Sequence, residues 1–246
     1  MPQVDLNCSG PVRHHTLQSI QRYLAIVSFL AVIGIGAVSL RIAGYDLSAI
    51  QTWLPPGLLG VLFNRQLAII SGHAGNDSGA VCTDTNGQPI VTEAAIVAAI
   101  TERVASQLRR GGAHVMVLDE FDSRLDGLQA DLLLSLHADS CIDASGYKFA
   151  ANSSRVIPVQ VHNNLSNCFD EHYAEATGLA SHPNTITHNM TDYHAFRKIE
   201  AQTPALILEV GFIGGDQTLL VEEPDRVARG ITASIRCFFE RESNPS

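Results

Sequence analysis

The chain has 246 residues, 46% of them hydrophobic and 17% charged, and its 16 Lys and Arg stand against 25 Asp and Glu for a net charge of −9. A net acidic chain with 6% aromatics and no Lys/Arg cluster excludes nucleic acid as a partner, since such binders need a basic face or stacking rings. Five Cys are too sparse for a disulfide-built scaffold and no CxxC pair suggests a zinc ribbon, while the length suffices for one ordinary domain plus an appendage.

A short tail, residues 1–22, leads into a charge-free run from Tyr23 to Leu40 that is flanked by Arg22 and Arg41. A helix rises about 1.5 Å per residue and a bilayer core is about 30 Å thick, so the run can just span. The expectation is a transmembrane anchor over 23–42. A signal peptide cut near Ala37-Val38-Ser39 is the alternative, although its apolar region is usually only about 7–15 residues. Arg13 and Arg22 bias the amino terminus inward. The remainder, which holds 13 of the cations and 24 of the anions, is then expected outside the cytoplasm, in periplasm or cell wall, or secreted if the segment is cleaved. Residues 43–64 carry Pro55, Pro56 and three Gly without a sustained period and read as a linker or stalk.

From Arg65 onward, over 65–242, short apolar runs alternate with helical patterns, the signature of an α/β sheet. The predicted strands are Leu67–Ser71, His114–Leu118, Asp131–Leu136 and Ala205–Val210, with Tyr147–Asn152 as an added edge. A helix is predicted over Thr92–Arg110, because Ile96, Val97, Ile100, Val104 and Leu108 recur at helical spacing between an N-capping Thr and Gly111-Gly112. Val227, Ile231, Ile235 and Phe238 mark another over Pro224–Glu240.

Three of these runs stop at ionisable side chains: LAIISG at His73, LLLSL at His137 and ALIL at Glu209. Ligands of open α/β sheets bind beyond the carboxyl ends of parallel strands, so two imidazoles and a carboxylate are delivered to one edge. Asp119-Glu120, after HVMVL, reads as a solvated turn. The loop SGHAGNDSGA packs three Gly around His73 and Asp77, without the spacing of a phosphate loop. Glu93 stands on the first helical turn, where it either complements the helix dipole or faces His73 and His137. Two neutral imidazoles and a carboxylate form a zinc site with an open fourth position, as catalytic zinc uses. A Glu inside an apolar run demands a reason, because an unpaired buried carboxylate is costly. Glu209 is either the acid/base that moves protons at that site or the partner of Arg197.

The strings GHAGNDSGA, Thr92-Glu93, LLLSLHAD (132–139) and PALILEVGFIGGD (204–216) resemble the zinc-dependent N-acetylmuramoyl-L-alanine amidases of the amidase-3 type, over about residues 66–240. The resemblance implies a single α/β domain with a twisted, mixed, mainly parallel sheet flanked by helices. It implies hydrolysis of the amide between N-acetylmuramic acid and L-alanine in peptidoglycan, one zinc ion on His73, Glu93 and His137, and Glu209 as catalytic acid/base. Asp77 and Gly72, Gly75 and Gly79 match the glycine-rich loop, and Arg197 matches an Arg that holds substrate or orients Glu209. The chain departs from the family pattern at three places: Ile70-Ser71 replaces Asp-Pro, Leu118-Asp119 replaces Thr-Arg, and Asp139 replaces Asn. The added carboxylate is expected to alter the electrostatics of the metal site.

No pattern reads clearly over Asn152–Met190, where a helix that shapes or occludes the groove is expected. An activator protein is among the expected partners. Cys8 would lie in the cytoplasm, and a bridge between Cys82 and Cys141 stands against free buried thiols. Two other readings remain at this point, a catalytically silent wall-binding module and a zinc hydrolase of other peptides or amides.

Overall fold

The computed structural model describes residues 14–42, 60–151 and 156–244, and the chain divides into two units, Met1–Leu58 and Leu59–Ser246. In the first unit the described residues form one helix, α1 (His14–Ile42). Among the described residues no helix is long and apolar enough to cross a membrane, so the anchor expected over 23–42 gains no support from the structure. The first 13 residues and most of the expected stalk, 43–59, lie outside the described residues. The end of that stalk belongs to the second unit instead: Leu62 is buried in its core, and the Asn64 N–H donates to the Gly112 carbonyl at 2.9 Å.

The second unit is built on strands β1 (Gln66–Ser71), β4 (His114–Leu118), β5 (Leu132–Asp139), β6 (Lys148–Ala151) and β7 (Ala205–Phe212), in the order β4-β1-β5-β7-β6. The first four in that row run parallel, and β6 pairs with β7 antiparallel at the edge. A hairpin of β2 (Val81–Thr83) and β3 (Pro89–Thr92) stands apart as a second small sheet.

Alternation along the strands assigns the two faces of the sheet. Leu67, Ile69, Leu132, Leu134, Leu206 and Leu208 point to the side covered by α2 (Glu93–Arg110) and the long carboxy-terminal helix, and pack there on Val97, Ile100, Val104, Ile231 and Ile235. Ala68, Ile70, Leu133, Ala205 and Ile207 face the other way, against Met190, Tyr193 and Phe196. The helix pattern of α2 is the one the periodicity predicts, with the Thr92 hydroxyl accepting the Ala95 N–H at 3.2 Å and Gly111 at its end.

The region without a readable pattern forms α3 (Val159–Cys168), prolonged through Phe169–Tyr173 and Ala174–Thr177. This helical stretch does not roof the Glu209 face, which the region reaches instead through Thr185 and Met190. Leu165, Phe169 and Tyr173 are buried on the opposite face with the carboxy-terminal helix, where Cys168 and Cys237 form a disulfide. The chain then crosses to the second face, where α4 (His188–Thr191) and α5 (His194–Lys198) deliver Met190, Tyr193 and Phe196. After β7, α6 (Gln217–Glu222) and α7 (Pro224–Ser243) complete the fold, α7 running a little past its predicted end.

Candidate active site

Strands β5 and β7 run on past the residues at which their apolar patterns stop. His137 therefore lies inside β5 and Glu209 inside β7, and the two are register partners on adjacent parallel strands. Register partners in a sheet present their side chains to the same face. On this face the composition changes toward the carboxyl edge, from Leu133 to Ser135 and His137, and from Ala205 and Ile207 to Glu209. Apolar packing below thus gives way to chemistry above, at the edge where ligands of such sheets bind.

The loop after β1 brings His73 to the same place. Its backbone is left-handed, φ +66, a conformation rare without glycine. Its N–H donates to Glu120 Oε2 at 3.0 Å, and its Nδ1 meets Asp77 Oδ1 at 2.6 Å. Two glycines make the close approach feasible. A Cβ on Gly72 would lie 2.6 Å from the His137 ring, and one on Gly79, itself at φ +61, would lie 2.6 Å from Glu93 Oε2.

Glu93 opens α2 and turns its buried carboxylate back to the sheet. Oε1 sits 3.1 Å from His73 Nε2 and 3.1 Å from His137 Nδ1 and accepts the Ala138 N–H, while Oε2 accepts the Ala80 N–H. Burial alone would raise this carboxyl; the His137 contact and the Ala80 N–H outweigh it and hold it below its ordinary range. One donor atom from each of His73, Glu93 and His137 lies within 4.8 Å of the others. His137 is buried, whereas His73 is partly open to solvent, so the cluster has an accessible side.

Glu209 Oε2 is shut away from solvent without a hydrogen-bond partner. Burial pushes its carboxyl up to about 7; His137 opposes the shift, and the negative Glu93 and Asp139 add to it. On the other side of Glu209, its register partner Lys148 is 4% exposed. The Lys148 ammonium donates to Asp139 Oδ2 at 2.5 Å and to the Thr185 carbonyl and hydroxyl at 2.9 and 3.1 Å. The extra carboxylate that the sequence puts at position 139 is therefore paired.

Two expectations change. Arg197 joins neither the cluster nor Glu209: it lies on the exposed side of α5 and pairs with Asp192 Oδ1 at 2.8 Å. The same segment reaches the site through Tyr193 and His194. Glu120, expected in a solvated turn, is 6% exposed. Its Oε1 accepts the Tyr193 hydroxyl at 2.8 Å and stands 2.9 Å from His194 Nε2. The expected alternative between free thiols and a bridge resolves as a Cys82–Cys141 disulfide, which ties the β2–β3 hairpin below Glu93 to the loop after β5.

Among solved structures, similarity is found to Ami1, the N-acetylmuramyl-L-alanine amidase of Mycobacterium smegmatis, at 16% identity and TM-score 0.56, covering 73% of this chain and 98% of that one. The CwlD amidase of Clostridioides difficile, solved with the GerS lipoprotein, matches at 17% identity and TM-score 0.55, over 72% of this chain and 99% of that one. The catalytic domain of CwlV, an N-acetylmuramoyl-L-alanine amidase of Bacillus (Paenibacillus) polymyxa var. colistinus, matches at 23% identity and TM-score 0.51, over 71% and 97%. A search of curated proteins gave no match. At these identities the structures speak for the fold, and the family assignment comes from the sequence itself. Residues 67–237 match the family described as N-acetylmuramoyl-L-alanine amidase of the amidase-3 type, and the chain belongs to that family.

Proposed function

We propose that this chain hydrolyses the amide between N-acetylmuramic acid and L-alanine in peptidoglycan, using one zinc ion held by His73, Glu93 and His137 and using Glu209 to move the proton. The observation that carries the reading is the convergence of three donor atoms within 4.8 Å beside a carboxylate that is the register partner of one of them. Two imidazoles and one carboxylate fit catalytic zinc, which takes three protein ligands and leaves one position open. The Asp77 carboxylate supports this, because by accepting a hydrogen bond from His73 Nδ1–H it leaves Nε2 free to bind. When bound, zinc acts as a Lewis acid and makes a water nucleophilic near neutral pH.

The protein's own contribution is positional and protonic. The glycine loop, α2 and β5 hold the donors at fixed separation, so little reorganisation accompanies reaction. Glu209, with its affinity for protons near neutrality, takes one from the attacking water and returns it to the amide nitrogen of L-alanine as that bond breaks. The Lys148–Asp139 pair beside it keeps the local charge from accumulating.

The activity belongs outside the cytoplasm. The two disulfides support this placement, since such bonds persist in oxidising compartments. The charge-free run Tyr23–Leu40 adds a membrane tether, and carbonate-resistant sedimentation of the full chain with membranes tests it. A lipoprotein partner is suggested by the complex in which CwlD of C. difficile was solved.

The decisive experiment is release of stem peptides from purified sacculi. Release that is abolished by a chelator, restored by zinc and absent in Glu209→Ala establishes the proposal. Metal-loaded protein that leaves sacculi and muropeptides intact while cleaving simple peptides overturns the substrate assignment.

A further inference from the structure

Glu120 is a buried carboxylate that the proposed reaction does not use. It follows β4, two positions beyond Leu118, and the fold draws donors to it from three other parts of the chain. Oε1 takes the Tyr193 hydroxyl at 2.8 Å, which is itself hydrogen bonded by the Ser135 hydroxyl at 3.0 Å, and lies 2.9 Å from His194 Nε2. Oε2 takes the backbone N–H of His73 at 3.0 Å. An ionised carboxylate offers about four acceptor sites, so one remains on Oε2. The group facing it is His137 Nε2 at 3.5 Å, and that nitrogen is buried with no hydrogen-bond partner of its own.

The two histidines of the cluster are thus arranged in opposite senses. His73 has Nδ1 on Asp77 and Nε2 toward Glu93. His137 has Nδ1 toward Glu93 and Nε2 toward Glu120. A carboxylate on the far nitrogen of a ligating imidazole fixes its tautomer and raises its basicity toward the metal. Glu120 also holds the N–H of His73, whose left-handed backbone needs an external restraint to persist.

We propose that Glu120 is a positioning residue of the metal centre. Its Oε2 accepts a hydrogen bond from the Nε2–H of His137, so that His137 binds the metal through Nδ1 while His73 binds through Nε2. This rests on the metal site of the preceding section and adds to it an anchor and an orientation for each ring.

The test uses zinc-loaded full chain labelled with 15N and long-range imidazole 1H–15N correlation. The expected result is His137 protonated at Nε2 and metallated at Nδ1, with His73 showing the reverse. Zinc affinity, measured by competition with a chromophoric chelator, should fall about 10- to 100-fold in Glu120→Gln, which keeps the volume and removes the charge. In that variant the His137 Nε2 proton signal should move while the metal-free circular dichroism stays that of the parent. His137 protonated at Nδ1 in the unsubstituted protein overturns the proposal, and this spectrum decides even if the variant does not fold. Zinc affinity of Glu120→Gln within twofold of the parent overturns it too. A chain that binds no zinc at all removes the metal site with it, whereas zinc bound with the other ring orientation removes the Glu120 role alone.

Discussion

Exchanging Glu209 for Gln keeps the side chain's volume and takes away its capacity to accept a proton. General acid–base groups typically contribute 10²- to 10⁴-fold to rate, so stem-peptide release by Glu209→Gln should fall by about that factor. The three donors on His73, Glu93 and His137 are untouched, so zinc content measured on the same preparation should stay at one per chain. Loss of zinc with loss of rate would make Glu209 a ligand rather than a proton carrier. His137 behaves differently. Burial would lower its imidazole, but Glu120 and Glu93 outweigh burial and push it up to about 10 in the metal-free protein. The folded value lies above the ordinary 6.5. The stabilisation from its charged form is therefore full below about pH 6.5 and is lost as pH rises toward 10. Zinc must displace that proton, so binding at pH 8 should release about one proton per zinc and tighten with pH. Calorimetry in buffers of different ionisation enthalpy measures the release, and a value of zero would count against a protonated His137.

These residues differ in how far the sequence reveals them. His73, His137 and Glu209 interrupt apolar strand patterns, and the interruption is the signal. Glu93 reads equally well as a helix-dipole residue, and only the turn of its side chain toward β5 separates the two roles. Glu120 gives no local sign. Its partners His73, Tyr193 and His194 stand 47, 73 and 74 residues away, and an acidic pair after a strand is the ordinary composition of a turn. Lys148 is hidden for a similar reason, because its partner Asp139 reads as a substitution until the antiparallel edge strand is placed.

At the scale of elements, the regular part of the fold is legible because period 2 and period 3.6 are imposed by burial. β1 and α2 appear within a residue or two of their predicted limits. The stretch from Val159 to Thr177 is not legible, since it mixes polar residues with Phe169 and Tyr173 and contains a wider turn. What secures it is a crosslink, Cys168–Cys237, between segments 69 residues apart. Loop-closure entropy gives such a bond about 4 kcal/mol, with typical measured values of 2–4. Cys168→Ala with Cys237→Ala should thus lower unfolding stability by about 2–5 kcal/mol and leave zinc affinity near that of the parent. The other bridge should affect the metal site as well. Cys82–Cys141 joins the hairpin that feeds Glu93 into α2 to the loop that leaves His137. Its removal should weaken zinc binding as well as stability, and chelator competition on both double variants distinguishes the two crosslinks.

Across the whole catalytic unit, the metal would connect parts that the chain brings from far apart: the loop after β1, the start of α2 and the carboxyl end of β5. None of these is close to the others in the unfolded state, so a ligand of all three binds the native form alone. Its free-energy contribution then follows mass action, about 4 kcal/mol when free zinc is 1,000 times its dissociation constant. For a unit of this size each kcal/mol moves the melting midpoint by roughly 2–4 °C. Zinc-loaded protein should therefore melt about 8–16 °C above the chelator-treated form. The increment should vanish in His137→Ala and persist in Glu209→Gln. Scanning calorimetry at matched pH decides between a metal that integrates the fold and one bound loosely at its surface. A shift that is the same in His137→Ala as in the parent would place the ion elsewhere on the molecule.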